Sequence, residues 1–104
     1  MIRIVLTTFG SPDDAARVIR QLVEEKLAAC GTILPGARSI YTWEGKIEDT
    51  EEVVVLLKTA LETAPALERH LATLHPYENP EIVVLNPELV SEKYALWVVE
   101  ACKS

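Results

Sequence analysis

The sequence is poor in the residues that build most catalytic and structural devices: four glycines, two cysteines and two histidines in 104 residues. The glycines stand at 10, 31, 36 and 45, a spacing that forms neither a dinucleotide-binding fingerprint nor a P-loop. There is no HExxH pair, and Ser11, Ser39 and Ser91 lack the flanking glycines of a nucleophile elbow. Cys30 and Cys102 permit one disulfide but do not make the framework of a stapled secreted domain. Neither has a second ligand at zinc-finger spacing. With no nucleophile and base set beside one another, the expectation is a protein that is not an enzyme.

Basic residues are also few, ten Lys and Arg against sixteen Asp and Glu, for a net charge of −6. That field opposes a phosphate backbone, and no basic patch interrupts it, so nucleic acid is not an expected partner. No apolar run approaches the roughly 20 residues of a membrane helix. Met1 to Gly10 is too short and too alternating for a signal peptide, so the expectation is a cytoplasmic protein without membrane association. The length suits one domain, 1–104. A domain this small buries a limited share of its surface, which makes self-association a natural way to add core.

What the chain does have is clear periodicity. Ile2 to Thr8 reads as a strand closed by Gly10. Ser11, Pro12, Asp13 and Asp14 then form a helix start, followed by Ala15, Val18, Ile19, Leu22 and Val23 on one stripe. A second extended segment from Leu27 to Trp43, broken at Pro35-Gly36, predicts one long strand with a bulge. Glu44-Gly45-Lys46 reads as a hairpin turn. Glu51 to Thr59 follows, with a continuous Val53 to Leu57 run that predicts burial on both faces. Thr63 caps a second helix with Leu67, Leu71 and Leu74 on its apolar line, ended by Pro76. Glu81 to Leu85 is a short strand, and a last helix starts at Ser91. The order predicts an α+β, ferredoxin-like βαββαβ sandwich with an additional C-terminal helix. Its long strands would need covered edges, supplied by a neighbouring copy or by the tail helix.

The stretch His75-Pro76-Tyr77-Glu78 carries an imidazole, a phenol and a carboxylate, with prolines at 76 and 80 stiffening the backbone. Imidazole and carboxylate are competent ligands for copper or zinc. The plainer reading is a helix end with His75 as a C-terminal cation. Cys30 is either a small core residue or a soft ligand converging with His75 or with its own copies. Tyr41, Trp43, Glu44 and Lys46 surround the hairpin, where large amphipathic rings suit an interface or a pocket wall. Lys58, Glu81 and Trp97 are further pocket candidates.

These residues also carry a resemblance. Glu25 to Cys30, Ile33-Leu34-Pro35-Gly36, Ser39-Ile40-Tyr41, Trp43 to Ile47, Glu52 to Thr59, and His75 to Glu78 with Pro80-Glu81-Ile82 follow one another as in the CutA divalent-cation tolerance proteins, which the chain closely resembles over nearly its whole length. The resemblance implies a ferredoxin-like protomer in a tight homotrimer, similar in form to PII signalling proteins. It also implies a role in tolerance of copper and other divalent cations, with no established enzymatic activity. On it, Cys30 matches the family cysteine and His75 to Glu78 the family His-Pro-Tyr-Glu stretch. Cys30, His75 and Glu78 are the expected metal ligands, with Cu²⁺ or another divalent ion as the expected cofactor. Tyr41, Trp43, Glu44, Lys58, Tyr77, Glu81 and Trp97 are the expected interface or pocket residues. The alternative is a PII-like module that binds a small molecule in clefts between copies. The chain departs from the family at Gly31-Thr32, where many relatives have Val-Asn, at Thr42, and at Leu85-Asn86-Pro87.

Overall fold

In the computed structural model, which describes Met1–Ser104, the periodic segments become β1 (Ile2–Phe9), α1 (Pro12–Glu24), β2 (Cys30–Trp43), β3 (Lys46–Ala60), α2 (Ala64–Leu74), β4 (Ile82–Leu85) and α3 (Glu92–Ala101). The sheet order is β2-β3-β1-β4, with every neighbouring pair antiparallel. This is the expected α+β fold: a four-stranded sheet, two crossover helices and an additional C-terminal helix.

Local chemistry sets the helix limits. The Ser11 hydroxyl accepts from the Asp14 N–H at 3.1 Å, Pro12 occupies the first turn, and Asp13 and Asp14 face the positive end of the helix dipole. Such a cap contributes about 1 kcal/mol. Thr63 stands at the cap position of α2 but does not cap it. Its hydroxyl donates to the Ala60 carbonyl at 3.1 Å and lies 2.6 Å from Thr59 Oγ1, fastening the end of β3 instead. Ser91 likewise makes no side-chain cap bond.

The two faces of the sheet are unequally covered. Val5, Phe9, Val53, Val55 and Leu57 pack against Val18 and Leu22 of α1 and Leu67 and Leu71 of α2, forming the main core. On the other face α3 covers one end only, where Ala95, Val98 and Cys102 meet Ile2 and Ala60. Ile4, Leu6, Val54 and Leu56 stay half-buried, and Leu34, Val83 and Leu85 are exposed. The predicted burial of β3 on both faces is therefore corrected for the single chain. Val53, Val55 and Leu57 are buried by the helices, while nothing in the protomer seals Val54 and Leu56.

The β2–β3 ladder contains the expected irregularity. Leu34 pairs with Val54, but Ala37 pairs with Glu52, so Pro35-Gly36 adds one residue to β2, with Gly36 at φ +80. Side chains alternate along a strand, and the extra residue therefore changes which positions share a face. Cys30, Thr32 and Leu34 lie on the uncovered face before the bulge; Ala37, Ser39, Tyr41 and Trp43 lie on it afterwards. The hairpin closes one residue earlier than expected, with Lys46 paired to Trp43 and a two-residue turn of Glu44 (φ 51) and Gly45 (φ 79). Two positive φ values in succession match the twist of the flanking strands. The resulting arm gives the protomer a longest dimension of 44 Å. At the other end of β2, a Cβ on Gly31 would lie 2.8 Å from Ile19 Cγ2 and 3.0 Å from Leu57 Cδ2. A valine there would require the side chains of Ile19 and Leu57 to shift, which gives the departure at Gly31 a packing reason.

One polar atom in the core has no partner: the Thr7 hydroxyl, fully buried in β1. An unpaired buried hydroxyl costs about 1–3 kcal/mol, and an isosteric methyl removes that cost. Thr7→Val is expected to raise the midpoint of guanidinium unfolding at fixed protein concentration, by about 1 kcal/mol in free energy. A lowered midpoint would show that the hydroxyl has a partner in solution.

Candidate functional site

A cleft of about 600 Å³ opens between the hairpin arm and the loop that follows α2. Its lining includes three residues with rings, Tyr41, Trp43 and Tyr77, and five glutamates, Glu48, Glu51, Glu52, Glu78 and Glu81, of which Glu51 pairs with Arg38 and alternates to the other side of β3 from Glu48 and Glu52. Thr8, Thr42, Thr50 and Asn79 complete it; no lysine or arginine lines it. The ladder explains the assembly. Tyr41 pairs with Glu48 and Ser39 with Thr50, while Thr8 pairs with Val54, two residues along β3 from Glu52. Beyond the bulge Ser39, Tyr41 and Trp43 stand on the uncovered face with Glu48, Thr50 and Glu52, as does Thr8 on β1.

The loop is held by His75. Its Nε2–H donates to the Thr8 carbonyl at 2.7 Å, and its Nδ1 accepts from the Tyr77 N–H at 3.1 Å. The ring stacks on Phe9 at 4.3 Å between centroids and is 7 % exposed. Burial holds the imidazole below its ordinary value of 6.5, against the opposing pull of the Thr8 carbonyl and the Glu52 charge. The helix-end cation reading is thus corrected: at neutral pH the ring is uncharged and both nitrogens are engaged. Tyr77 in turn donates from its hydroxyl to Glu52 Oε2 at 2.8 Å. Burial first, and then this bond and its charge, push the phenol up to about 12.

Of the nominated residues, Tyr41, Trp43, Tyr77, Glu78 and Glu81 are brought together here. Glu44 stays in the turn, outside the cleft. Cys30 and Lys58 pair with each other across β2 and β3 at the far end of the ladder, and Lys58 also pairs with Ile4. Thr8 lies four residues further along β1, so about 13 Å of strand separates Cys30 from the level of His75. The Lys58 ammonium donates to Thr32 Oγ1 at 2.7 Å, a second consequence of the Gly31-Thr32 departure. Cys30 Sγ lies 3.6 Å from the Tyr94 hydroxyl, whose pKa is pushed up to about 12 by burial and then by the thiol. Trp97 sits beside Tyr94 on α3, 5.8 Å between ring centroids and 51 % exposed, in neither the hairpin cluster nor the core.

Consequently no group of three His, Cys, Asp or Glu side chains in one chain converges on a point that would hold a metal ion. Glu78 and Glu81 keep exposed carboxylates in the cleft; the other carboxylates line it without meeting. Lining residues not nominated from the sequence are Thr8, Thr42, Glu48, Thr50, Glu51, Glu52 and Asn79. For those between 48 and 52 the signal was a strand starting at Lys46 instead of Glu51, which sets Glu48 opposite Tyr41.

A family model described as the CutA1 divalent ion tolerance protein matches residues 3–101. The divalent-cation tolerance protein CutA of Pectobacterium atrosepticum is 44% identical over 97 residues, covering 91% of this chain and 86% of the relative. That of Thermus thermophilus is 40% identical over 100 residues, covering 96% and 97%. Among solved structures, the divalent ion tolerance protein CutA1 from Ehrlichia chaffeensis superposes with a TM-score of 0.95 at 30% identity, over 99% of this chain and 96% of its own. The Thermus thermophilus protein superposes at 0.90 with 40% identity, over 97% and 98%. None of these names is that of an enzyme.

The state of His75 has a measurable consequence. The unfolded chain takes a proton near pH 6.5, whereas the native imidazole does so only at lower pH, so the unfolded state binds more protons in that window. Stability is therefore expected to fall as pH drops below 6.5, and to stop falling on this account once the native imidazole protonates. His75→Gln should flatten the dependence of the urea midpoint between pH 7 and 5.5. Equal slopes in the two proteins would show that His75 is not held neutral.

Proposed function

The chain belongs to the CutA1 divalent ion tolerance family, and on that premise we propose that it acts in tolerance of copper or a related divalent cation as a homotrimer whose metal ligands come from more than one copy. The observation that carries this reading is the uncovered sheet face. It bears Ile4, Leu6, Leu34, Val54, Leu56, Val83 and Leu85 beside the unpaired edge of the 14-residue β2. A long free edge next to an apolar face is a pairing surface for another chain. Exposed Ile40 and Ile47, the latter 78 % exposed, add apolar area on the opposite side of the arm.

The ligand chemistry supports sharing. One chain supplies no converging set of three, and its single buried imidazole has both nitrogens engaged. Glu78 is the nominated ligand with a free carboxylate, His75 positions the loop that presents it, and Cys30 joins only through the approach of a second copy. Carboxylate oxygen alone suits harder cations than copper, so a copper preference requires Cys30 or an imidazole to complete the set. The second reading, a PII-like small-molecule module, is favoured by the volume and three rings of the cleft, which exceed what a bare ion needs.

Mass measurement followed by calorimetric titration with Cu²⁺ tests the proposal. The expected mass is three times that of the 11.5 kDa chain. Saturation should occur at an integral ratio of ions to chains or trimers. Glu78→Gln and Cys30→Ser should each lower affinity tenfold or more without changing the mass. A monomer, or heat that does not saturate, overturns it.

A further inference from the structure

The helix layer carries a pair of metal-competent groups that a site shared through Cys30 and Glu78 does not use. His70 Nε2 lies 3.2 Å from Glu25 Oε1, with the two side chains 37 % and 40 % exposed. The chain has two imidazoles, and that of His75 is buried with both nitrogens engaged. An imidazole that meets a cation from solution is therefore that of His70. The pair joins the end of α1 to α2, and these helices cover the opposite side of the sheet from the apolar pairing face. Association of copies through that face leaves it open.

We propose that Glu25 and His70 of each protomer bind a borderline divalent cation, Cu²⁺ most tightly, through Oε1 and Nε2, with water in the remaining positions. Imidazole nitrogen and carboxylate oxygen suit such ions, and among the divalent first-row metals affinity peaks at copper. Ligand atoms about 2.1 Å from one ion stand roughly 3.0 Å apart at a right angle and roughly 3.4 Å apart at a tetrahedral one. The observed separation falls between these, so neither backbone has to move to admit the ion.

Both ligands stand on fixed backbone. Glu25 ends α1, where its N–H donates to the Gln21 carbonyl at 3.0 Å and the Leu27 N–H returns to the Leu22 carbonyl at 3.0 Å. His70 lies in the interior of α2, between Leu67 and Leu71 in sequence, and both of these pack with Leu22 in the main core. Ligands placed by packed helices are held more closely than ligands on loops, and less ordering accompanies binding. Leu27, Ala66, Arg69 and Thr73 line the hollow beside the ring, which has room for the water ligands. Arg69 is the one permanent cation in that lining and opposes binding, whereas the net charge of −6 favours it. The pair shares no ligand with Cys30 and Glu78, so the two sites stand or fall separately.

The probe is Cu²⁺, titrated to saturation into the whole chain in a buffer without imidazole or primary amines. Electron spin-echo modulation reads the remote nitrogen of a copper-bound imidazole, and circular dichroism checks that each variant is folded. The expected result is an imidazole signal that persists in His75→Gln and disappears in His70→Ala. By calorimetry, Glu25→Gln should weaken the same site tenfold or more, and Arg69→Gln should tighten it. The signal should also remain in Cys30→Ser with Glu78→Gln, whether or not that double variant loses a shared site. An imidazole signal that survives His70→Ala, or a saturated parent protein without one, overturns the proposal. Copper binding that is lost in Cys30→Ser with Glu78→Gln and unchanged in His70→Ala would leave the shared site standing and sink this one.

Discussion

The register of β2 against β3 is the constraint on which the distal half of the molecule depends. Up to Leu34 the ladder serves the core: Ile33 and Gly31 face the helices, and Cys30 and Leu34 face away. One added residue at Pro35-Gly36 reverses that assignment for the rest of the strand. Without it, Tyr41 and Trp43 would turn to the side where Arg38, Ile40 and Thr42 now stand, and the cleft would lose two of its three rings. Beyond the bulge the arm has no helix to pack on. It is held by ladder hydrogen bonds, the two-residue turn and one ion pair, Arg38 with Asp49, whose two bonds measure 2.8 and 2.7 Å. That pair is solvent-exposed and so adds direction more than stability.

His75 performs the matching task for the loop. Residues after a helix end must satisfy free backbone groups while changing direction, and Pro76 and Pro80 restrict how they do so. A neutral imidazole with one donor and one acceptor takes the Thr8 carbonyl on one side and the Tyr77 N–H on the other. It joins the end of β1, the end of α2 and the cleft wall through a single ring stacked on Phe9. A charged imidazole would have no acceptor for the Tyr77 N–H, so the neutral form follows from geometry as well as from burial.

The strands, helices and their order were legible because each apolar face repeats at its own period: Ala15 to Leu22 for α1, Leu67 and Leu71 for α2, Ile2 to Phe9 for β1. The bulge was legible from Pro35-Gly36. Its consequence for Tyr41 and Trp43 was not, since periodicity within a strand gives alternation but not which parity faces which layer. Glu48 to Glu52 were missed for a related reason. Charged residues before an apolar run read as loop, and only the partner strand shows that they continue the ladder. Thr63 and Ser91 had the right residue types for caps, but side-chain bonding is a choice among several nearby acceptors, and in Thr63 the end of β3 won. The state of His75 required knowing that Phe9 and Thr8 meet it from 66 and 67 residues away in sequence.

The two ends of the uncovered face are chemically different, and that difference constrains any assembly. Near Cys30 the face carries a thiol, a lysine bound to Thr32 and a phenol with a raised pKa, closed on one side by α3. Near the arm it carries rings and carboxylates. Between them lie the aliphatic residues from Ile4 to Leu85. A second copy that buried only the aliphatic centre would leave both polar ends open. One that also paired along β2 would carry its own arm past the first chain, because the arm projects beyond the helices. Covering both the free edge of β2 and the apolar centre is therefore the demand that any self-association of this chain has to meet.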